Sequence, residues 1–246
     1  MYKHKNISAL EIKNDSIHVF VKGSEKTTWQ SNRLENDTIL VIAESAIDAM
    51  SYHIIHNLKS AFYIAVSGSF SKQALSQFMQ TSSWSDMTLI AGDLGRNSET
   101  ATLLESYVQT YTGPVTITQD AADYFKETPS LVVDRPNTLL VLTLAQLQRI
   151  FIATPSITPI TYSMSSVALA EALHEYTIEH PIAIMTLHNG LVFAAHEGRI
   201  VTSPTESNPP EDAWRVKTAS KASVYWMQNP NKLFESVATS LHVQDS

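Results

Sequence analysis

Short apolar runs alternate with segments of helical spacing along most of the chain, and this alternation constrains the possible folds more than any other feature. The runs are nearly continuous in apolar or β-branched residues and occupy residues 38–43, 61–66, 87–91, 114–118 and 138–143. A strand has such a sequence when a parallel sheet buries both of its faces. Between the runs, apolar residues recur at intervals of three and four over residues 46–58, 72–80, 99–109 and 144–151. This spacing predicts helices that connect parallel strands.

The pattern changes after residue 152, where antiparallel strands are expected. A loop with two prolines at residues 153–160 precedes a predicted helix over residues 163–180. The apolar stripe expected to bury that helix consists of Val167, Leu169, Ala170, Leu173 and Ile178. Apolar runs at residues 181–186, 191–195 and 199–202, separated by turns at residues 188–190 and 197–198, predict an antiparallel meander.

The two ends of the chain give weaker signals. Residues 202–212 contain three prolines and predict a surface loop. Helices are expected after it, over residues 219–228 and 232–241. Near the amino terminus, residues 16–21 alternate between polar and apolar side chains. They indicate an edge strand or a terminal hairpin within an extension formed by residues 1–33.

An alternating series of strands and helices, followed by a meander and two helices, predicts an α/β protein. We expect a three-layer α/β/α sandwich with a mostly parallel, doubly wound sheet. The length of 246 residues is compatible with a single domain. In this architecture ligands bind beyond the carboxyl ends of the parallel strands. Chemistry is therefore expected in the loops after Ala43, Ala91, Thr118, Thr143 and Thr186.

The composition excludes several classes of function. A formal net charge of −7 argues against a nucleic-acid-binding surface or a basic membrane anchor. The absence of cysteine excludes disulfides, thiolate metal sites and a cysteine nucleophile. No run of about 18 apolar residues occurs and no hydrophobic signal segment follows the first residues, so a cytoplasmic protein is expected. With only 7 glycines in 246 residues, several glycine-rich phosphate loops are not expected.

Residues 90–121 carry a family resemblance. The sequence Ile90-Ala-Gly-Asp-Leu-Gly95 precedes a predicted helix, a Thr-Gly-Pro turn, a strand at 115–118 and then Gln119-Asp-Ala121. This order resembles the ribokinase-like, carbohydrate kinase-related NAD(P)H-hydrate dehydratases, and the order of elements fits from about Thr38 to His242. The resemblance implies an α/β/α sandwich, self-association, and use of ATP or ADP to dehydrate hydrated NADH and NADPH. Other members of the superfamily phosphorylate sugars and vitamins in the same cleft.

Four segments at the strand ends depart from the family pattern. The family's Gly-Pro-Gly-Leu-Gly becomes Ala91-Gly-Asp-Leu-Gly95, and the carboxylate of Asp93 would crowd and repel a pyrophosphate. The family's Asp-Ala-Asp becomes Thr118-Gln-Asp120, so only the second acid remains. Thr143 is kept without the His and acid that follow it in the family, and Thr186-Leu-His188 replaces a Lys-Gly pair.

The largest departure concerns the family's Gly-Thr-Gly-Asp motif at the start of the penultimate helix. There the glycines and the helix amino terminus hold an anion, and the Asp is the general base. This chain has Lys217-Thr-Ala-Ser-Lys-Ala-Ser223 instead, and no glycine follows Gly198. Loss of a general base alone removes roughly 10²–10⁴-fold of rate. The sequence therefore predicts a pseudoenzyme that binds a small nucleotide-like ligand or a protein and assembles as a homo-oligomer.

Several residues remain candidates for a site, each with a structural alternative. Asp93 and Asp120 are candidate catalytic acids, and capping of a helix or turn is the alternative for both. Contacts to ATP or ADP are expected from Gly92, Gly95, Thr143, Lys217, Ser220 and Lys221. The two lysines, expected near a helix start, have solvent exposure as their alternative.

For the aromatic and histidine residues, structural interpretations are favoured over functional ones. Trp214, Tyr225 and Trp226 flank the degenerate motif, where packing into the vacated cleft is favoured over stacking on a base. The histidine pairs at 53 and 56 and at 188 and 196 match no zinc pattern, so no metal site is predicted.

Two other functions remain open. The first is an active dehydratase or small-molecule kinase in which Asp93 and Asp120 act where the family uses other residues. The second is a Toprim-type, Mg²⁺-dependent nucleotidyl-transfer domain with Glu44 as its acid after a buried strand. That domain requires an Asp-x-Asp pair, whereas the matching segment here has the single carboxylate of Asp93.

Overall fold

The structure is a computed structural model that describes residues 16–21, 38–43, 74–83, 86–92, 98–154, 158–205 and 211–241. Its strands are β1 (Ser16–Val21), β2 (Thr38–Ala43), β3 (Met87–Ile90), β4 (Val115–Thr118), β5 (Thr138–Leu142), β6 (Ala183–His188), β7 (Leu191–His196) and β8 (Arg199–Pro204). Its α-helices are α1 (Ala74–Ser82), α2 (Ser98–Thr110), α3 (Ser130–Val133), α4 (Leu144–Ala153), α5 (Ser166–Glu179), α6 (Glu211–Gln228) and α7 (Leu233–Ser240). A 3₁₀ helix follows β4 at Gln119–Phe125.

The described strands form one sheet in which the spatial order follows the order along the chain. The order is β1-β2-β3-β4-β5-β6-β7-β8. Strands β1 to β6 pair in parallel, and β7 and β8 add an antiparallel meander. The expected mostly parallel α/β sheet is confirmed, and β1 is an edge strand that pairs in parallel with β2.

Helices cover both faces of this sheet, but the helices on the two faces come from different parts of the chain. Crossovers between parallel strands are right-handed, so a strand order that always advances in one direction places every crossover helix on one face. Accordingly, buried residues of α1 to α5 join one hydrophobic cluster. The opposite face is covered by α6 and α7, which follow the last strand and fold back over the completed sheet. The described strands contain no reversal of order, so the third layer comes from the carboxyl-terminal helices.

Most predicted elements within the described residues agree with the structure to within one to three residues, and α6 is the main exception. This helix begins at Glu211, eight residues before the predicted start at 219. The prolines at 209 and 210 led to the expectation of a loop, although proline is well tolerated just before and at the first position of a helix. The 3₁₀ helix and α3 lie where no helix is predicted, and the predicted elements at 46–58 and 61–66 lie outside the described residues.

The predicted core stripe of α5 is only partly buried. Leu169, Ala170 and Leu173 are buried as expected, but Val167 and Ile178 are 62% and 63% exposed. These two residues lie about three turns apart and therefore share one side of the helix. That side lies beside β8, the last strand of the sheet. The expectation for Val167 and Ile178 was wrong because periodicity tells which residues share a side but not where the sheet ends.

Two tight turns of the meander confirm the predicted turn positions. Asn189 and Gly190 have φ angles of 50° and 73°, and Glu197 and Gly198 have 50° and 68°. Positive φ at both central residues is the type I′ geometry that two-residue hairpins favour. At Gly198 a Cβ atom would also lie 2.8 Å from Cγ1 of Ile178, so the second turn packs closely against α5.

Candidate functional site

The carboxyl ends of β4 and β5 lie beside the start of α4, at the edge of the sheet where ligands bind in this kind of fold. Thr143 follows β5 and caps α4, because its hydroxyl accepts a hydrogen bond of 3.1 Å from the main-chain N–H of Gln146. The side-chain oxygen of Gln146 in turn accepts from the N–H of Thr143 at 3.1 Å. This reciprocal capping box satisfies two donors of the first turn of α4.

The side chain of Gln146 also joins three other parts of the chain. It is buried, and its Nε2 donates to the carbonyl of Gln119 at 2.9 Å. Its Oε1 accepts from Nη1 of Arg215 at 3.2 Å. Gln119 has a φ of 54°, a left-handed conformation uncommon for residues other than glycine, asparagine and aspartate. One amide therefore connects the ends of β4 and β5 with the second turn of α6.

Arg215 is the residue of this site that sequence reasoning missed. Its side chain is 5% exposed and extends from α6 to the start of α4. The predicted helix begins at residue 219, so Arg215 lies before it and is not among the predicted site residues. The role of Gln146 did have a signal, because Thr-x-x-Gln before an apolar run is a capping-box signature.

Among the residues predicted at the strand ends, Thr143 is used in capping and Asp120 is exposed. Asp120 lies in the first turn of the 3₁₀ helix that begins at Gln119. Gly92 is buried directly after β3 and has a φ of 82°, a backbone conformation that suits glycine. Asp93 and Gly95 lie outside the described residues. The structure thus places Gly92, Asp120 and Thr143 at the predicted edge without describing the loop between β3 and α2.

The predicted lysine site is not at a helix start. Lys217 and Lys221 lie in the second and third turns of α6, where Lys217 is exposed and Lys221 is half-buried. Ser220 is 2% exposed and lies within the helix. The expectation of lysines at a helix amino terminus was wrong because α6 begins eight residues earlier than predicted. Lys217 lies six positions after Glu211, beyond the four free N–H groups of the helix start.

The earlier start of α6 changes the position of two acids. Glu211 and Asp212 were expected in the preceding loop, but they occupy the first turn of the helix. A first turn favours negative charge because the helix macrodipole is positive there. Two acidic residues thus belong to the first turn of α6, where the sequence predicted none.

The three aromatic residues of α6 are buried but do not act together. Trp214, Tyr225 and Trp226 are 5%, 3% and 1% exposed, as the packing interpretation expects. The indole N–H of Trp226 donates to the carbonyl of Pro230 at 3.3 Å, at the far end of the helix. Only Trp214 lies near the start of α6, so one aromatic side chain at most reaches the cleft.

The end of β6 contains a buried polar group of its own. The hydroxyl of Thr186 is fully buried and has no hydrogen-bond partner among the described residues. Two residues later, Nε2 of His188 lies 2.8 Å from the carbonyl of Met164. His188 ends β6 and His196 ends the antiparallel β7, so the pair lies at opposite edges of the sheet.

The described residues contain no group of three or more His, Asp or Glu side chains arranged to hold a metal ion. None of the helices in these parts of the chain combines the length and the apolar character needed to cross a membrane.

The fold is similar to known structures although the sequence is not. No protein-family model and no curated protein sequence matches the chain. A hypothetical protein from Streptococcus mutans superposes with a TM-score of 0.54 at 13% identity, over 82% of this chain and 68% of the other. A ribokinase-like superfamily protein from Enterococcus faecalis V583 gives a TM-score of 0.57 at 15% identity, over 84% and 66% of the two chains.

A third similarity covers nearly all of both molecules. Pyridoxal kinase from Bacillus subtilis, in an ADP complex, gives a TM-score of 0.53 at 9% identity, over 92% of this chain and 89% of the kinase. At such identities a similarity concerns the fold alone. The chain has the ribokinase-like fold, an α/β sandwich that is also found in kinases.

Proposed function

We propose that this chain is a degenerate homologue of the NAD(P)H-hydrate dehydratases that has lost catalysis and binds a small nucleotide-like ligand at the carboxyl edge of its sheet. The observation that carries the proposal is the buried contact between Arg215 and Gln146. A phosphate cradle at a helix start needs bare main chain and accessible N–H groups. Here long side chains from α6 and α4 meet between the helix start and the ends of β4 and β5.

ATP or ADP is the proposed ligand, and a docked protein is the alternative. The ADP complex of the structurally similar pyridoxal kinase supports a nucleotide as the ligand, and ligands of such sheets bind beyond the carboxyl ends of the strands. The loss of the glycine motif at α6 argues that phosphates would be held less tightly than in an intact member. We therefore expect binding without turnover.

The test combines binding with turnover. Calorimetric titrations with ADP, ATP, NADH and NADPH should give saturable binding of ADP or ATP. Repair of hydrated NADH with ATP or ADP should be at least about 10²-fold slower than for an intact dehydratase. Turnover near that of the intact enzyme would contradict the loss of catalysis. Absence of measurable binding for all four compounds would contradict the proposal that the ligand is a nucleotide.

An active dehydratase or small-molecule kinase is the second candidate, and the start of α6 favours it. The family resemblance places the general base at this helix start, and Glu211 and Asp212 lie in its first turn. Under this proposal one of four acids, Asp93, Asp120, Glu211 or Asp212, takes the proton. The variants Asp93→Asn, Asp120→Asn, Glu211→Gln and Asp212→Asn would each be assayed for hydrated NADH repair. Loss of measured turnover in one of them, with the other three unchanged, would establish this candidate.

We also propose that the chain is a single domain that self-associates and functions in the cytoplasm without nucleic acid. A single cooperative urea transition and a dimer or larger species in light scattering are expected. The ribokinase-like fold favours these proposals over a Toprim-type domain built on Glu44, a residue outside the described ones. Mg²⁺-dependent cleavage of nucleic acid, lost in Glu44→Ala, would reverse that preference.

A further inference from the structure

A small cavity lies between α5 and the last two strands, away from the proposed nucleotide edge. Its volume is about 210 Å³. Helix α5 contributes Val167 and Ala170, β7 contributes Leu191 and Phe193, and β8 contributes Ile200. Phe193 belongs to the hydrophobic cluster of α1 to α5, so the cavity lies on the face of the sheet opposite to α6. Any ligand bound there would be independent of the Arg215–Gln146 contact.

Hydroxyl groups supply the polar part of the cavity. Ser166 and Thr202 complete its lining, and no ionisable side chain lines it among the described residues. The strand register places Thr186 opposite Phe193 and Phe193 opposite Thr202, so these three side chains form one row on the same face. The hydroxyl of Thr186, in this row, is the buried group that has no described partner. Thr186 lies behind the lining, so this row presents the Phe193 ring and the Thr202 hydroxyl to the cavity.

We propose that this cavity binds a small uncharged molecule with an aromatic or branched aliphatic body and one hydroxyl group. An apolar cavity of about 150 Å³ holds one benzene molecule. The present cavity is partly open to solvent, so its volume of about 210 Å³ is an upper limit that admits a ring with a short substituent. A charged ligand is disfavoured because its desolvation would have no opposite charge to offset it.

Exposed apolar surface gives the ligand its driving force. Val167 is 62% exposed at the rim, and an apolar ligand would remove part of that surface from water. The hydroxyls of Ser166 and Thr202 can exchange water for the hydroxyl of the ligand at little net cost. For a ligand of this size the expected dissociation constant is about 0.1–1 mM.

The test follows methyl signals of isotopically labelled Ile, Leu and Val in the full chain by nuclear magnetic resonance. Titration with benzyl alcohol should produce saturable shifts of Val167, Leu191 and Ile200. Toluene should shift the same signals, and benzoate should not. Absence of saturation up to about ten times the expected dissociation constant would overturn the proposal, as would equal binding of benzoate.

Three variants separate this site from general surface binding. Ala170→Leu fills the cavity and should weaken benzyl alcohol at least tenfold, whereas Glu171→Leu adds the same side chain at an exposed neighbouring position and should not. Thr202→Val removes a hydroxyl without changing volume and should weaken benzyl alcohol about threefold or more while leaving toluene unchanged. This last variant decides the matter if Ala170→Leu does not fold. If all variants bind benzyl alcohol with equal affinity, the proposed site is wrong. If Thr202→Val weakens benzyl alcohol and toluene equally, the proposed preference for an alcohol is wrong.

Discussion

The parallel strands begin at one edge of the sheet, the amino edge, and end at the other, the carboxyl edge. At each edge one long polar side chain makes several hydrogen bonds, and the two side chains have different roles. Where the parallel strands begin, Arg135 donates hydrogen bonds of 2.5–3.3 Å to main-chain carbonyls and to the hydroxyl of Thr138. Its main-chain acceptors are Val108, Tyr111, Gly113, Pro136 and Asn137. Where the strands end, Gln146 links Thr143, Gln119 and Arg215.

The two side chains share one feature, since each binds the carbonyl of a left-handed residue. Arg135 binds Asn137, which has a φ of 59°, and Gln146 binds Gln119, which has a φ of 54°. Asparagine adopts this conformation far more readily than glutamine does. The carboxyl edge therefore holds a less favourable backbone conformation than the amino edge.

The two edges differ in how far apart in the sequence the hydrogen-bonded residues lie. The partners of Arg135 lie at most 27 residues away in the chain, whereas Arg215 lies 69 residues from Gln146. The amino edge therefore joins consecutive connections, and the carboxyl edge joins the sheet to a helix formed after it. We infer that Arg135 contributes chiefly to stability, whereas Gln146 contributes to the shape of the proposed ligand edge.

The largest effect is expected from Arg135→Met. This change leaves six acceptors without their donor and should lower the free energy of unfolding by about 3 kcal/mol or more. Arg149, which pairs with Asp123 at 2.7 Å on the surface, is the matched control, and Arg149→Met should cost less than about 1 kcal/mol. Arg135→Lys should restore less than half of the loss because an ammonium group lacks the planar fork. Urea unfolding measures all three, and equal losses at the two arginines would contradict the role of Arg135.

A smaller loss is expected from Gln146→Ala at the other edge. This variant removes the capping box and the bonds to Gln119 and Arg215, which should cost about 2 kcal/mol. Gln148, on the same helix, makes one described side-chain bond, 2.9 Å to the carbonyl of Ile160. Gln148→Ala should therefore cost about 1 kcal/mol or less. If Gln146→Ala and Gln148→Ala lower the free energy of unfolding equally, the proposed role of Gln146 in joining the carboxyl edge is contradicted.

High pH should lower the stability near the amino edge, where the hydroxyl of Tyr176 on α5 lies 2.8 Å from that of Thr154, just after the end of α4. Burial raises the pKa of Tyr176 to about 12, although the hydrogen bond with Thr154 lowers it, and its ordinary value is 10.0. Because the folded pKa lies above the unfolded one, this contribution is complete below pH 10 and is lost as pH rises towards 12. The stability should fall by about 1 kcal/mol per pH unit over that window. Tyr176→Phe should reduce this slope in urea titrations at pH 9 and pH 11, and an unchanged slope would contradict the assignment.

The smallest effect should distinguish the two hairpin turns, one at each edge. Gly190→Ala forces a left-handed alanine but meets no atom within 4 Å, so it should cost about 1 kcal/mol. Gly198→Ala adds a contact of 2.8 Å with Ile178 to the same backbone cost. It should be less stable than Gly190→Ala by a few tenths of a kcal/mol, about the scale of a small side-chain adjustment. Thermal unfolding of both variants measures the difference, and a larger loss at Gly190 would reverse the order.

The local elements were largely predictable because their signals lie within short windows. The apolar run at 38–43 matches β2, and those at 87–91 and 138–143 extend one residue beyond β3 and β5. The His-Asn-Gly and Glu-Gly segments gave the turns of the meander, since few residues accept positive φ. The start of α6 was missed because prolines predict a loop or a helix start equally well.

The sequence by itself determined which segments are strands, which are helices and which residues share a side, because periodicity is set by neighbouring residues. Only the tertiary structure decided which residues or solvent each side of a helix or strand contacts. Val167 and Ile178 lie beside the sheet edge and stay exposed, and Arg215 meets Gln146 because α6 folds back over a finished sheet. Such contacts depend on where distant elements come to rest, which no local window of side chains records.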